Sequence, residues 1–214
     1  MCRLLFIQSV ESFDPKPHLK AFSEAAKNSK EFQGHGWGCA YLINDEWQYY
    51  KNIDPIWEHS FENIPITTRI VVHARSAFKD EGIVIENNMP FHDDTHVFIF
   101  NGELRGVKIK SEGRIGAEKI FNYIKRLSNE QNFQETFKKA IGVIEKRTDY
   151  IRAMNIIMAT KNSVYISSLF NDDPNYFTLR YFENETIKIV CSEPYSLIDG
   201  WKNFDNRSFT EFLI

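Results

Sequence analysis

The sequence predicts an α+β fold, antiparallel sheet with segregated helices. Three observations carry this. Strand-like apolar runs fill the first hundred residues, a pair of helical periodicities follows, and strand-like runs then return. Hydrophobic residues make up 43% of 214 positions, enough for a sizeable core and too many for a disordered chain. No strand-like run precedes G-x-G-x-x-G or G-x-x-x-x-G-K-[ST], so dinucleotide-binding and P-loop folds lack their anchors.

Residues 2–8 are an apolar run that stops at polar residues, read as a buried strand. Pro17 sits where a helix can begin, and Leu19, Phe22, Ala25 and Ala26 recur at helical spacing, which predicts a helix over 17–31. Residues 38–43 and 47–51 read as a hairpin around Asn44 and Asp45. Residues 70–73 and 97–100 are β-branched or aromatic and read as interior strands. Helices are predicted at about 115–127, with Ile115, Ile120, Phe121 and Ile124, and at about 132–146, with Phe133, Phe137, Ile141 and Ile144. Strands return at 155–159, 164–169, 177–182 and 187–191. Neither a repeat nor a linker interrupts the chain, so a single domain over 2–214 is expected.

Composition removes several function classes. With 26 basic and 29 acidic residues the net charge is -3, and no Lys/Arg run marks a nucleic-acid surface. No stretch reaches the roughly 18 apolar residues of a membrane span. The first residues turn polar too soon for a secretory signal. Cys2, Cys39 and Cys191 are odd in number and widely spaced, without C-x-x-C, so neither a zinc ribbon nor a disulfide framework is indicated. Cys39 and Cys191 fall in predicted strands and read as core thiols. A reducing, cytoplasmic setting fits, with no metal and no organic cofactor.

Four segments carry candidate chemistry. Met1 is expected to be removed, because Cys is small enough for an aminopeptidase to tolerate beside it. Cys2 would then carry a thiol beside a free α-amine, which can serve as the base for that thiol. A retained Met1 would hold that nitrogen in a peptide bond. By chance alone, many proteins also have cysteine at position 2. His73-Ala74-Arg75-Ser76 ends a predicted strand, where a guanidinium offers a planar fork to a carboxylate and fits a surface salt bridge equally well. Phe100-Asn101-Gly102-Glu103 closes another strand; Asn-Gly there is an ordinary turn or an oxyanion hole. Gly34-His35-Gly36-Trp37-Gly38 reads as a tight bend entering a strand, with His35 read as a solvated loop histidine rather than a base.

Taken in order, Cys2 and its strand, HGWGCAYL, HARSAF, ENNMPF, FIFNGEL, AEKIF and IVCSEPY…W resemble the class II glutamine amidotransferases. The resemblance is to the small stand-alone members related to γ-glutamyl hydrolases, and it spans Cys2 to about Trp201. It implies a four-layer αββα sandwich of the N-terminal-nucleophile hydrolase type. By position, Cys2 resembles the nucleophile, with its α-amine as general base. Arg75, with Ser76 beside it, resembles the group that holds the substrate's α-carboxylate. Asn101 and Gly102 resemble the oxyanion hole. The implied substrate is the side-chain amide of glutamine or of a γ-glutamyl compound. The ammonia goes to a separate synthase subunit or is simply released. The alternative is a non-catalytic or specificity-altered binding or partner subunit on the same fold.

The sequence departs from the family at named positions. Gly116 stands where an Asp usually holds the substrate's α-ammonium, with Glu112 and Glu118 as nearby substitutes. Met89 precedes Pro90 in place of His or Gln. Phe100 precedes Asn-Gly in place of His, and His35 stands in place of Asp. These departures bear on free glutamine as substrate more than on amide or γ-glutamyl cleavage.

Overall fold

The computed structural model describes residues 1–127 and 132–213; the domain end expected at 214 lies outside them. The elements begin with β1 (Arg3–Phe13), α1 (Lys16–Lys27), β2 (Trp37–Ile43), β3 (Glu46–Asn52) and β4 (Thr67–Ala74). There follow β5 (Phe91–His92), β6 (Val97–Val107), α2 (Gly116–Leu127), α3 (Phe133–Lys146) and β7 (Thr148–Ala159). The chain continues with β8 (Ser163–Ser168), the short helix α4 (Pro174–Phe177), β9 (Arg180–Glu183), β10 (Ile187–Cys191), β11 (Lys202–Asn203) and β12 (Ser208–Leu213). They gather into two compact units. The first is Met1–Pro90 with Thr178–Asp205; the second holds the described residues of Phe91–Phe177 and Asn206–Ile214.

The first unit is an antiparallel sheet in the order β11-β9-β10-β1-β4-β2-β3, with α1 packed on it. β1 is central because its residues are apolar on both faces and buried from Arg3 to Gln8. It pairs with β10 through Leu5↔Cys191 and with β4 through Leu5↔Val72. α1 sets Leu19, Phe22 and Ala26 in one cluster with Leu5, Ile7, Ile70, Val72 and Ile189. Each large apolar side chain buried there contributes about 1.5–3 kcal/mol. The helix stops short of the expected residue 31. The backbone N–H and the side-chain Nδ2 of Asn28 both donate to the Glu24 carbonyl and close the last turn. The predicted hairpin is present, with Asn44 at φ 50° and Asp45 at φ 61°, the left-handed pair of a type I′ turn.

The second unit is an antiparallel sheet in the order β12-β8-β7-β6-β5. Both predicted helices form and pack against each other and against β6 and β7. Phe121 of α2 meets Phe91 and Phe98, and Phe137 of α3 meets Tyr165 and Phe209. β6 is the main departure from expectation. It runs on through Asn101 and Gly102 to Val107, paired with β7 by Asn101↔Asn155 and Gly102↔Met154. Asn101-Gly102 is therefore strand, not turn. Cys39 and Cys191 are core thiols, as expected. Among the described residues no helix is long and apolar enough to cross a membrane.

Candidate active site

Cys2 lies at the entry to β1, beside the end of β4. Its neighbour Arg3 pairs with Ala74, the last residue of β4. The chain turns there, and the Ser76 peptide closes around the sulfur. Ser76 N–H donates to Cys2 Sγ at 3.4 Å, and the thiol donates to the Ser76 carbonyl at 3.6 Å. Burial pushes the Cys2 thiol up from its ordinary range. The chain-terminal amine, the Ser76 N–H and the Arg75 cation each pull it back, while Glu31 adds to the rise. The Met1 amine pairs with Glu31, and the Met1 carbonyl accepts from Gln33 Nε2 at 2.5 Å. Arg3 anchors the strand start: its guanidinium reaches Ser29 Oγ, the Ser192 carbonyl and Glu193 Oε2.

Arg75 is buried, which excludes the surface salt bridge. Its Nη1 donates to Asn88 Oδ1 at 3.3 Å and its Nη2 to the Gly82 carbonyl at 2.9 Å. Among the described residues no carboxylate pairs with it. Two of the five guanidinium N–H groups hold the fork in place, and the other donors remain for a ligand. Burial pulls the guanidinium below its ordinary value, and the neighbouring Cys2 raises it again. The structure thus brings Cys2, Arg75 and Ser76 together in the first unit.

Asn101 and Gly102 lie on β6 in the second unit. Asn101 is 0% exposed, and neither Oδ1 nor Nδ2 has a hydrogen-bond partner. Buried amides are normally satisfied, so Asn101 stands out from its paired neighbours. The opposite Asn155 shows the contrast: its Nδ2 donates to the Phe177 carbonyl, and its Oδ1 accepts from Leu169 N–H. Gly102 is required by close approach. A Cβ there would stand 2.0 Å from the Ala153 carbonyl oxygen.

Three residues take parts that the sequence reading did not assign them. His35 is buried rather than solvated, and its Nδ1 accepts the Ala77 N–H at 2.8 Å. Asn88 and Gly82 hold Arg75; Asn88 lies in the ENNMPF segment, while no sequence pattern marks Gly82. The glycine bend at 34–38 serves close packing of the chain on itself. Gly36 has φ +101°, and a Cβ on Gly38 would lie 2.5 Å from the Met89 carbonyl. Gly116, at the start of α2, is exposed, with nothing within 4 Å of a Cβ built there. The Glu118 carboxylate is engaged by Arg114 Nε at 3.0 Å and by Arg114 N–H, so it is not an open acceptor.

The chain has the fold of the class II glutamine amidotransferases, including their small stand-alone form. Among solved structures it is similar to the glutamine phosphoribosylpyrophosphate amidotransferase of B. subtilis, in complex with ADP and GMP. That match has TM-score 0.64 and 15% identity over 89% of this chain and 42% of that one. A Pseudomonas aeruginosa protein described as a predicted glutamine amidotransferase matches with TM-score 0.66 and 11% identity, over 99% of this chain and 97% of that one. A glutamine aminotransferase class-II domain protein from Silicibacter pomeroyi matches with TM-score 0.64 and 14% identity, over 98% and 94%. The chain spans less than half the length of the B. subtilis enzyme and nearly all of the other two. The sequence itself matches no protein-family model and no curated protein. The α+β class expected from the sequence is that of the structure, with an antiparallel sheet in each unit.

Proposed function

We propose that this chain is a Cys2-dependent amidohydrolase of the glutamine amidotransferase type. It cleaves the side-chain amide of glutamine or of a γ-glutamyl compound. The observation that carries the reading is Arg75, a buried cation with no carboxylate partner among the described residues, next to the peptide that holds the Cys2 sulfur. A buried charge is stable when a partner neutralises it, and a substrate α-carboxylate fits the fork. Asn101, buried with its amide unpartnered, supports an oxyanion role for itself and Gly102.

The reaction begins with removal of Met1, which turns the Cys2 amide nitrogen into an amine. The amine takes the thiol proton, and the sulfur attacks the side-chain carbonyl carbon, forming a C–S bond. The negative oxygen that develops is received by Asn101 Nδ2 and the Gly102 N–H. Collapse breaks the C–N bond, and the α-ammonium returns its proton to the departing ammonia or amine. Water then attacks the thioester, gives a proton to the amine, and releases the γ-carboxylate and the thiol. No cofactor or metal enters this scheme. The ammonia is released or passes to a separate synthase subunit, and the setting proposed is the cytoplasm. A single functional domain running from Cys2 to the end of the chain belongs to the same reading.

A second reading is a binding or partner subunit on the same fold, favoured by open Gly116 and by Glu118 being engaged with Arg114. One experiment separates the two. The intact mass is measured before and after exposure to a diazo-ketone glutamine analogue, for wild type and for Cys2→Ala. The expected result is loss of the Met1 mass, one adduct on Cys2, and neither adduct nor γ-glutamyl hydrolysis in Cys2→Ala. A processed wild-type chain that takes no adduct rejects the enzyme and favours the binding subunit.

A further inference from the structure

One imidazole holds the far side of the peptide that cups the Cys2 sulfur. The sulfur is cupped by a single peptide, that of Ser76. The 75–77 segment lies beyond the end of β4, where backbone pairing with the β2 side ends at Arg75, whose N–H donates to the Gly36 carbonyl at 2.8 Å. Two bonds from His35 flank Ser76, one from its backbone and one from its ring. The His35 backbone N–H donates to the Arg75 carbonyl at 3.1 Å, on one side of Ser76. The His35 Nδ1 accepts the Ala77 N–H at 2.8 Å, on the other side. The Ala77 N–H can only donate, so Nδ1 carries the lone pair and Nε2 carries the proton. Nε2 then faces Asp80 Oδ1 at 3.5 Å, and the Phe32 ring meets the imidazole edge-on at 5.1 Å between centroids. A surface loop histidine would need none of this arrangement.

We infer that His35 is a positioning residue for the Cys2 thiol, acting through the Ala77 amide and the Ser76 peptide that cups the sulfur. The inference rests on the reading of Cys2 as nucleophile. It assigns the backbone N–H of His35 to the Arg75 side of the cup and the Nδ1 lone pair to the Ala77 side. Only the second depends on the side chain, so substitution separates the two.

Asparagine and glutamine make the test. In His35→Asn the amide Oδ1 falls where the imidazole Nδ1 stands and keeps the acceptor. In His35→Gln the amide Oε1 falls where Nε2 stands, and the acceptor is lost. Wild type, His35→Asn, His35→Gln and His35→Ala are each alkylated with iodoacetamide across pH, and the adduct on Cys2 is followed by mass. Buried Cys39 and Cys191 serve as internal controls, and a thermal melt checks that each variant is folded. His35→Asn should keep the wild-type alkylation rate and pH midpoint within about threefold. His35→Gln and His35→Ala should lose about tenfold in rate, the effect of one hydrogen bond, and shift the midpoint. A reactive Cys2 that does not distinguish asparagine from glutamine at position 35 overturns this inference alone. A wild-type Cys2 inert to alkylation overturns the nucleophile reading, and this inference with it.

Discussion

Replacing Asn101 by leucine should stabilise the protein and inactivate it together. The Asn101 amide is fully buried, and neither of its polar atoms is bonded. Holding an unsatisfied amide away from water costs about 1–3 kcal/mol. Leucine has the same branching at Cγ and carries no such cost, while overpacking by its tetrahedral carbon returns up to about 1 kcal/mol. The net gain therefore spans about 0–3 kcal/mol, and its midpoint of about 1.5 kcal/mol corresponds to roughly 3–6 °C in Tm for a chain of this size. Loss of one oxyanion donor should lower kcat by about 10²–10³-fold with little change in KM. The assay pairs a thermal melt with steady-state hydrolysis of a chromogenic γ-glutamyl anilide. A lower Tm would mean that the amide is satisfied in the native protein. An unchanged kcat in a folded Asn101→Leu variant would remove Asn101 from the reaction.

Arg75→Lys keeps the charge but loses the fork that Asn88 and Gly82 hold, so KM should rise about 10–100-fold while kcat stays within a few-fold. An unchanged KM in steady-state kinetics would detach Arg75 from the substrate. Gly102→Ala places a methyl 2.0 Å from the Ala153 carbonyl oxygen and forces β6 and β7 apart. A loss of about 2 kcal/mol or more is expected in a denaturant titration, and a neutral result would contradict the strand pairing. His18 and His35 are both pushed below the ordinary imidazole range by burial, with Asp80 pulling His35 back up and Arg75 lowering it further. Their folded-state values lie below their unfolded ones, so the unfolded chain binds protons first as pH falls. Their contribution is complete above about pH 6.5 and is lost as pH drops through the folded values, at most about 1.4 kcal/mol per pH unit for each ring. Denaturant midpoints that stay flat between neutral and acidic pH in wild type, but not in a His35→Asn, His18→Asn double variant, would reverse that assignment.

Local chemistry made part of the molecule legible. Asn44 and Asp45 tolerate positive φ, so the first hairpin could be placed to within a residue. The helical periodicities of α2 and α3 survive in the fold because each helix turns one apolar stripe to the sheet. Strand lengths were not legible. β6 and β7 extend into polar, half-exposed residues, where pairing rather than burial sustains the strand. The same pairing overrode the turn preference of Asn101-Gly102, a preference that describes an isolated dipeptide and not one opposite Asn155. β12 was missed because its register is set by β8 across forty residues of intervening sequence. For the site, residue types at Cys2, Arg75 and Ser76 announced themselves. The burial of His35 did not, because three neighbouring glycines suggest an open bend until the partners of that bend are known.

The place of β1 in its sheet has a consequence for how the protein is made. β1 leaves the ribosome before β4, which follows soon enough to pair with it. Its other neighbour, β10, pairs Cys191 with Leu5 and arrives about 10–40 s later at ordinary synthesis rates. The Arg3 guanidinium waits equally long for Ser192 and Glu193. During that interval β1 is paired on the β4 side only. β1 therefore gains its second neighbour only near the end of synthesis, and the central pairing of the first sheet is completed last.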